Sequence, residues 1–142
     1  MREELEGPKV KDIGVAIVQQ LNEKKEKIYN VYLLNLSEHI IEGIMITSKG
    51  YGTNVQTGEK VKTSTLRHSL EILLPNEAAK IEPIMEDVFG VANEFWISFW
   101  SDPEDTGSLV MHDKKFVFVP ESISEENMKT IPVLGNKGVM II

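Results

Sequence analysis

The sequence contains no cysteine, which excludes a disulfide framework and any thiolate metal site. Arginine is nearly as scarce: Arg2 and Arg67 are the only examples, and every other basic side chain is a lysine. The formal net charge is -7, and nothing resembles the basic stripe with interleaved aromatics by which nucleic acid is held. The nearest approach, Lys24-Lys25-Glu26-Lys27, follows Glu23 and is divided by Glu26, the pattern of a solvated hairpin loop. Nucleic acid is therefore not an expected partner. No apolar run reaches the roughly 18 residues that a membrane-crossing helix requires. The charged start MREELEGPKVKD is followed by no apolar signal region, so a cytoplasmic protein without membrane attachment is expected. Asn35-Leu36-Ser37 matches a glycosylation acceptor, a coincidence in a chain without a secretion signal.

Long stretches with a helical period are also missing, which argues against alternating strands and helices. What the chain has instead is short runs of β-branched and aromatic residues. Ile28–Tyr51 is the richest of them, with Val31, Leu33 and Asn35 on one face of an extended chain and Tyr32, Leu34 and Leu36 on the other. Both faces are largely apolar, so this strand is either central and covered twice or meets another chain. Ile13–Gln19 supplies a first strand with small residues that let another backbone approach. Lys49-Gly50-Tyr51-Gly52 is expected to end the strand that begins at Ile40, because glycine takes positive φ without strain. Val61–His68 suits an edge strand; Ser69–Leu74 suits either a short strand or one helical turn. Ala78–Ile84 is a short strand closed by Pro83, and Asn93–Trp100 is the clearest later one. Leu109–Met111 and Lys115–Val119 read as two pieces separated by the polar residues around His112 and Asp113. Helical turns are expected at Glu86–Gly90 and within Glu121–Lys129, the latter capped by Ser122 or Ser124. Ile131–Leu134 and Val139–Ile142 close the chain.

These segments amount to about seven to nine short strands at the turn spacing of an all-β sandwich, with one or two helical turns. The 142 residues fit a single domain, with residues 1–9 as a frayed terminus.

The order of the segments NVYLLNLSEHII, LPNEAAKIEPI, NEFWISFW and KKFVFVP resembles an immunoglobulin-like antiparallel sandwich of the disulfide-free kind. Together with LRHSL and the closing IPVLGNKGVMI, they also resemble a family of small uncharacterised bacterial proteins over nearly the whole chain. Some members carry the label of a phenylalanyl-tRNA synthetase α-subunit. A class II synthetase core resembles a much longer antiparallel α/β domain in which several arginines hold ATP. Leu66-Arg67-His68-Ser69 is the only arginine context here after Arg2, so synthetase activity is not expected.

Chemistry-bearing motifs are equally sparse. Gly52…Gly58-Glu59-Lys60 has the wrong spacing for a phosphate loop and places Glu59 where the lysine belongs. His39, His68 and His112 are scattered, and His112-Asp113 would join a metal site only with remote carboxylates. His68 and Ser69 are neighbours on a strand and point to opposite faces, so they make no nucleophilic pair. Arg67 would form an ion pair with Glu71 or bind an anion. No cofactor, metal or catalytic residue is assigned.

The positive signal is aromatic. Phe95, Ile97 and Phe99 share one strand face, while Trp96 and Trp100 share the other with Glu94 and Ser98. If the first set fills the core, both tryptophans lie on the outside of their sheet. Tyr32, Leu34 and Leu36 would join them there if their strand is a neighbour. Tyr32, Leu34, Leu36, Trp96 and Trp100 therefore form a candidate interface, with Arg67 as its polar anchor. The expected occupant is a second copy of the chain or another protein; the alternative is a small ligand or carbohydrate stacked on Trp96 or Trp100. A third outcome is that Ile131–Ile142 folds back and covers the patch.

Overall fold

A computed structural model describes residues 12–142; the expected frayed terminus lies outside the described residues. Ten strands are present among them: β1 (Ile13–Leu21), β2 (Lys27–Asn35), β3 (Ile41–Thr53), β4 (Lys60–Lys62), β5 (Leu66–Leu73), β6 (Glu77–Pro83), β7 (Ala92–Ser101), β8 (Val110–Phe118), β9 (Lys129–Thr130) and β10 (Lys137–Ile141). They form two antiparallel sheets. The first has the order β6-β2-β1-β10-β9; in the second, β4-β3-β7-β8, the strand β5 also pairs with β3. The expected all-β sandwich is the observed architecture.

Alternation builds the core. Ile13, Val15 and Ile17 of β1 and Val31 and Leu33 of β2 point inward from the first sheet. They meet Ile44 and Ile46 of β3, Phe95, Ile97 and Phe99 of β7, and Phe116 and Phe118 of β8. The opposite faces of β1 and β2 are buried too, because a second cluster forms on the outside of the first sheet. There Ala16, Val18 and Leu34 pack with Ile131, and Tyr32, Leu36, Leu134 and Met140 lie against them. The two-sided apolar pattern of β2 thus has a direct cause: it is a central strand between β1 and β6, with a core on both sides.

Several sequence expectations shift in detail. Gly50 does not end β3, since it pairs with Asn93, while Tyr51 and Gly52 pair with Lys62 and Val61 of β4. Val61–His68 is not one strand but two, broken at 63–65, where the Thr63 hydroxyl accepts the Gly50 N–H at 2.7 Å in place of a ladder bond. Ser69–Leu74 falls almost entirely in β5. The residues around His112 interrupt nothing: β8 is continuous, with His112 inward and Met111 and Asp113 outward. Three 3-10 turns replace the one or two expected, at Glu86–Val88, Pro120–Ser122 and Glu125–Asn127. Ser124 precedes the last of them, but its side chain makes no capping hydrogen bond. Of the two closing apolar segments, residues 131–134 form a turn and Val139 to Ile141 belong to β10.

Two polar devices pin the loops. Asn35, fully buried at the end of β2, donates from Nδ2 to the carbonyls of His39 (2.7 Å) and Leu73 (3.1 Å). Its Oδ1 accepts from the Ser37 N–H and hydroxyl, so the glycosylation match is a folding device. Asn35→Ala removes donors from two carbonyls in a buried setting, and leaving such groups unpaired costs about 1–3 kcal/mol each. The substitution is expected to lower stability by roughly 2–3 kcal/mol in urea titration with an unchanged slope; a loss below about 0.5 kcal/mol would show that water replaces the side chain. In the loop after β7, the N–H of Thr106, together with the Gly107 N–H and the Thr106 hydroxyl, holds the Asp102 carboxyl below the usual carboxylate range.

A candidate interaction face on the second sheet

The pairing of β5, β3, β7 and β8 sets the outward side chains in rows across the sheet. Arg67, Thr47, Trp96 and Lys115 form one row. The next contains Ser69, Met45, Ser98 and Asp113, and the third Ile72, Glu42, Trp100 and Met111. Strand side chains alternate, so on β7 Phe95 and Ile97 lie inside and Trp96 outside. Trp96 retains 46% of its surface and Trp100 43%, and Met45, Ile72 and Met111 are each more than half exposed. The face is thus a four-strand platform with aromatic and methionine side chains at its centre.

Trp100 is seated by the backbone. The register of β3 against β7 shifts between Glu42 and Met45, and Gly43 at this bulge has φ 57°, a conformation open to glycine. A Cβ at Gly43 would stand 2.9 Å from Trp100 Cδ1, so the indole rests on bare backbone. Trp96 is bordered by charge: Lys115 Nζ lies 5.8 Å from its ring centre. Glu94, largely buried, holds Lys49 at 3.6 Å and Lys115 at 3.9 Å. The pairs involve half-exposed lysines and contribute little to stability, but they fix basic groups at the edge of the face.

Of the residues singled out from sequence, Trp96, Trp100 and Arg67 come together here. Arg67 is exposed in the Trp96 row, across Thr47, and forms no ion pair with Glu71 among the described residues. Tyr32, Leu34 and Leu36 do not join them. Their strand belongs to the first sheet, whose outer face points away from that of the second. Leu34 is fully buried, Tyr32 is held by Gln20 through its hydroxyl (3.2 Å), and the 131–134 turn covers all three. The C-terminal cover therefore exists, but over the first sheet and not over the tryptophans.

Sequence reasoning missed the contribution of Met45, Ile72 and Met111. The alternation of Ile44 with Met45 carries that signal; Met111 is obscured because the polar His112-Asp113 pair mimics a strand break. It also missed a polar cluster between the sheets. His68 Nε2 lies 3.0 Å from Glu82 Oε1, which also accepts the Ser48 hydroxyl at 2.6 Å. Ser69 faces the other way, as strand geometry requires. In this cluster the serine donates to the carboxylate and not to the imidazole, so the relay of a nucleophilic triad is not assembled. His112 is buried with its ring 5.5 Å from Phe99. Among the described residues no group of three or more histidine, aspartate or glutamate side chains is placed to hold a metal ion, and no helix is long and apolar enough to cross a membrane.

No protein-family model matches the chain, and no curated protein is significantly similar to it.

Proposed function

We propose that the protein is a non-enzymatic assembly module of the cytoplasm, an immunoglobulin-like sandwich that self-associates through the outer face of its second sheet. The connectivity supports the fold assignment: β2 pairs with β1 and β6, β3 with β5 and β7, and β7 with β8, the hairpins and cross-sheet connections of that architecture. The observation that carries the function is the pair of tryptophans left almost half exposed among Met45, Ile72 and Met111. Tryptophan, methionine and arginine are the residues enriched in interface cores and hot spots, and a contiguous apolar patch of this kind marks a contact surface.

Charge favours a second copy as the occupant. Arg67 and Lys115 flank Trp96 at one end of the face, while Glu42 lies beside Trp100 at the other, with Glu71 adjacent to Ile72 of the same row. A two-fold axis lying across the strands near the Met45–Ser98 row brings each basic end onto the partner's acidic end, and Trp96 toward the partner's Trp100. Isologous packing of this kind closes at two subunits. Four strands about 4.8 Å apart give a footprint roughly 20 Å across, at the small end for a stable interface, so the dimer is expected to depend on concentration.

Size-exclusion chromatography with light scattering on the wild type and on Trp96→Lys tests this reading. The wild type is expected to be a dimer at tens of micromolar, and the variant a folded monomer. A wild type that stays monomeric at millimolar concentration overturns self-association and leaves the same face for a ring-stacking ligand.

A further inference from the structure

A cleft of about 380 Å³ opens between β3 and the 63–66 segment of the second sheet and the end of β6 in the first. Leu66, Ile84 and Phe95 give it an apolar wall, and Glu82 and Asp87 line it with carboxyl groups. We propose that this cleft binds a primary ammonium group carried on a short apolar chain. The proposal is independent of the self-association reading, since the cleft enters the sandwich between its sheets and shares with the Trp96 face only Lys49, at its edge.

The argument rests on how Glu82 is held. Its side chain retains only 14% of its surface, and a carboxylate withdrawn from water needs compensating donors or a cation. Both donors present, the Ser48 hydroxyl and His68 Nε2, converge on Oε1. Oε2 takes no hydrogen bond from the described residues. No lysine or arginine among them pairs with this carboxylate, and its one ionic partner among the described residues, His68, carries a charge only when protonated. Lys49 borders the cleft, but its ammonium is drawn to Glu94 at 3.6 Å. An incoming ammonium brings three N–H donors and a full positive charge, which suits Oε2, with Asp87, which also lines the cleft, as a second acceptor. The methylenes behind it then lie along Leu66, Ile84 and Phe95, where burying them is favourable. A neutral alcohol of the same length satisfies the wall but not the charge.

Such an ammonium has two sources, a free amine or a lysine side chain of another polypeptide. Titration followed by amide chemical shifts, with n-butylamine, 1,4-diaminobutane, the pentapeptide Gly-Gly-Lys-Gly-Gly and n-butanol as probes, separates them. Saturable shifts confined to the cleft are expected with the amines, and binding at least roughly tenfold weaker for butanol and for Glu82→Gln. Binding of the pentapeptide as well assigns a lysine side chain; binding of the free amines only assigns small amines. If Glu82→Gln does not fold, Ser64→Trp at the exposed rim is expected to block the cleft and abolish the shifts. Amines that bind no better than butanol, or equally well to Glu82→Gln or Ser64→Trp, overturn the proposal.

Discussion

Gly138→Ala is expected to destabilise the protein by about 3 kcal/mol, the upper end of the range for overpacking a well-filled interior. Gly138 sits in β10 opposite Val18 of β1 and Lys129 of β9. A Cβ there would fall on the carbonyl oxygen of Ile17 and come within 2.9 Å of the Val18 Cα. Both are main-chain atoms of β1, which is itself paired on both sides. No rotamer change relieves the clash, so β10 must move. That movement also disturbs the 131–134 turn, whose Ile131 covers Leu34 on the outer face of the first sheet. Urea titration should show the midpoint falling steeply, while Lys137→Ala, at the exposed neighbouring position, changes stability by no more than about 0.5 kcal/mol. A loss below about 1 kcal/mol for Gly138→Ala would mean that the first sheet tolerates a spread between β1 and β10 that the packing described here does not allow.

Much of this fold was legible because its strands alternate cleanly. Phe95, Ile97 and Phe99 stand against Trp96 and Trp100 with no exception in the run, so the inward and outward sets follow from period alone. β2 was recognisable as a strand covered twice, yet period cannot say what covers it. That answer depends on which sheet β2 joins, a non-local fact fixed by its pairing with β1 and β6. Placing Tyr32 beside Trp96 failed for that reason. The same limit hid the Ser48–His68–Glu82 cluster, since three strands bring those side chains together and Glu82 looks in sequence like any exposed acid. Local turn chemistry misled in the opposite sense. Gly50 and Gly52 look like strand terminators, but β3 continues past them because β4 returns to pair with Tyr51 and Gly52. Gly52 does take a positive φ, but within the strand, and so does Gly43, whose role appears only once Trp100 is laid across it.

Phe95→Ala and Trp96→Lys should separate by several kcal/mol although the two residues are adjacent. Phe95 is 2% exposed, packs in the inter-sheet core and meets Phe118 edge-on, with ring centres 6.0 Å apart and planes at 84°. Truncating a buried phenylalanine to alanine costs about 3–5 kcal/mol, because the lost transfer energy is joined by that of the cavity. At a total stability typical of a single domain, about 5–15 kcal/mol, that is a large fraction. Trp96 points to the other side of the same strand, and a lysine there keeps its ammonium in water while its stem lies along the sheet. Its effect on monomer stability is expected to stay within about 1 kcal/mol, with Thr47 and Lys115 unchanged beside it. Urea titration must be run at a concentration low enough to dissociate any dimer, since association would add its own stabilisation to the wild type. Under those conditions a folded Trp96→Lys whose stability matches the wild type assigns the side chain to contact rather than to core. A loss comparable to that of Phe95→Ala would instead place Trp96 among the residues that hold the sheet together. It would remove the physical basis for reading this face as an interface, because a tryptophan already spent on the monomer's own packing has little left to offer a partner.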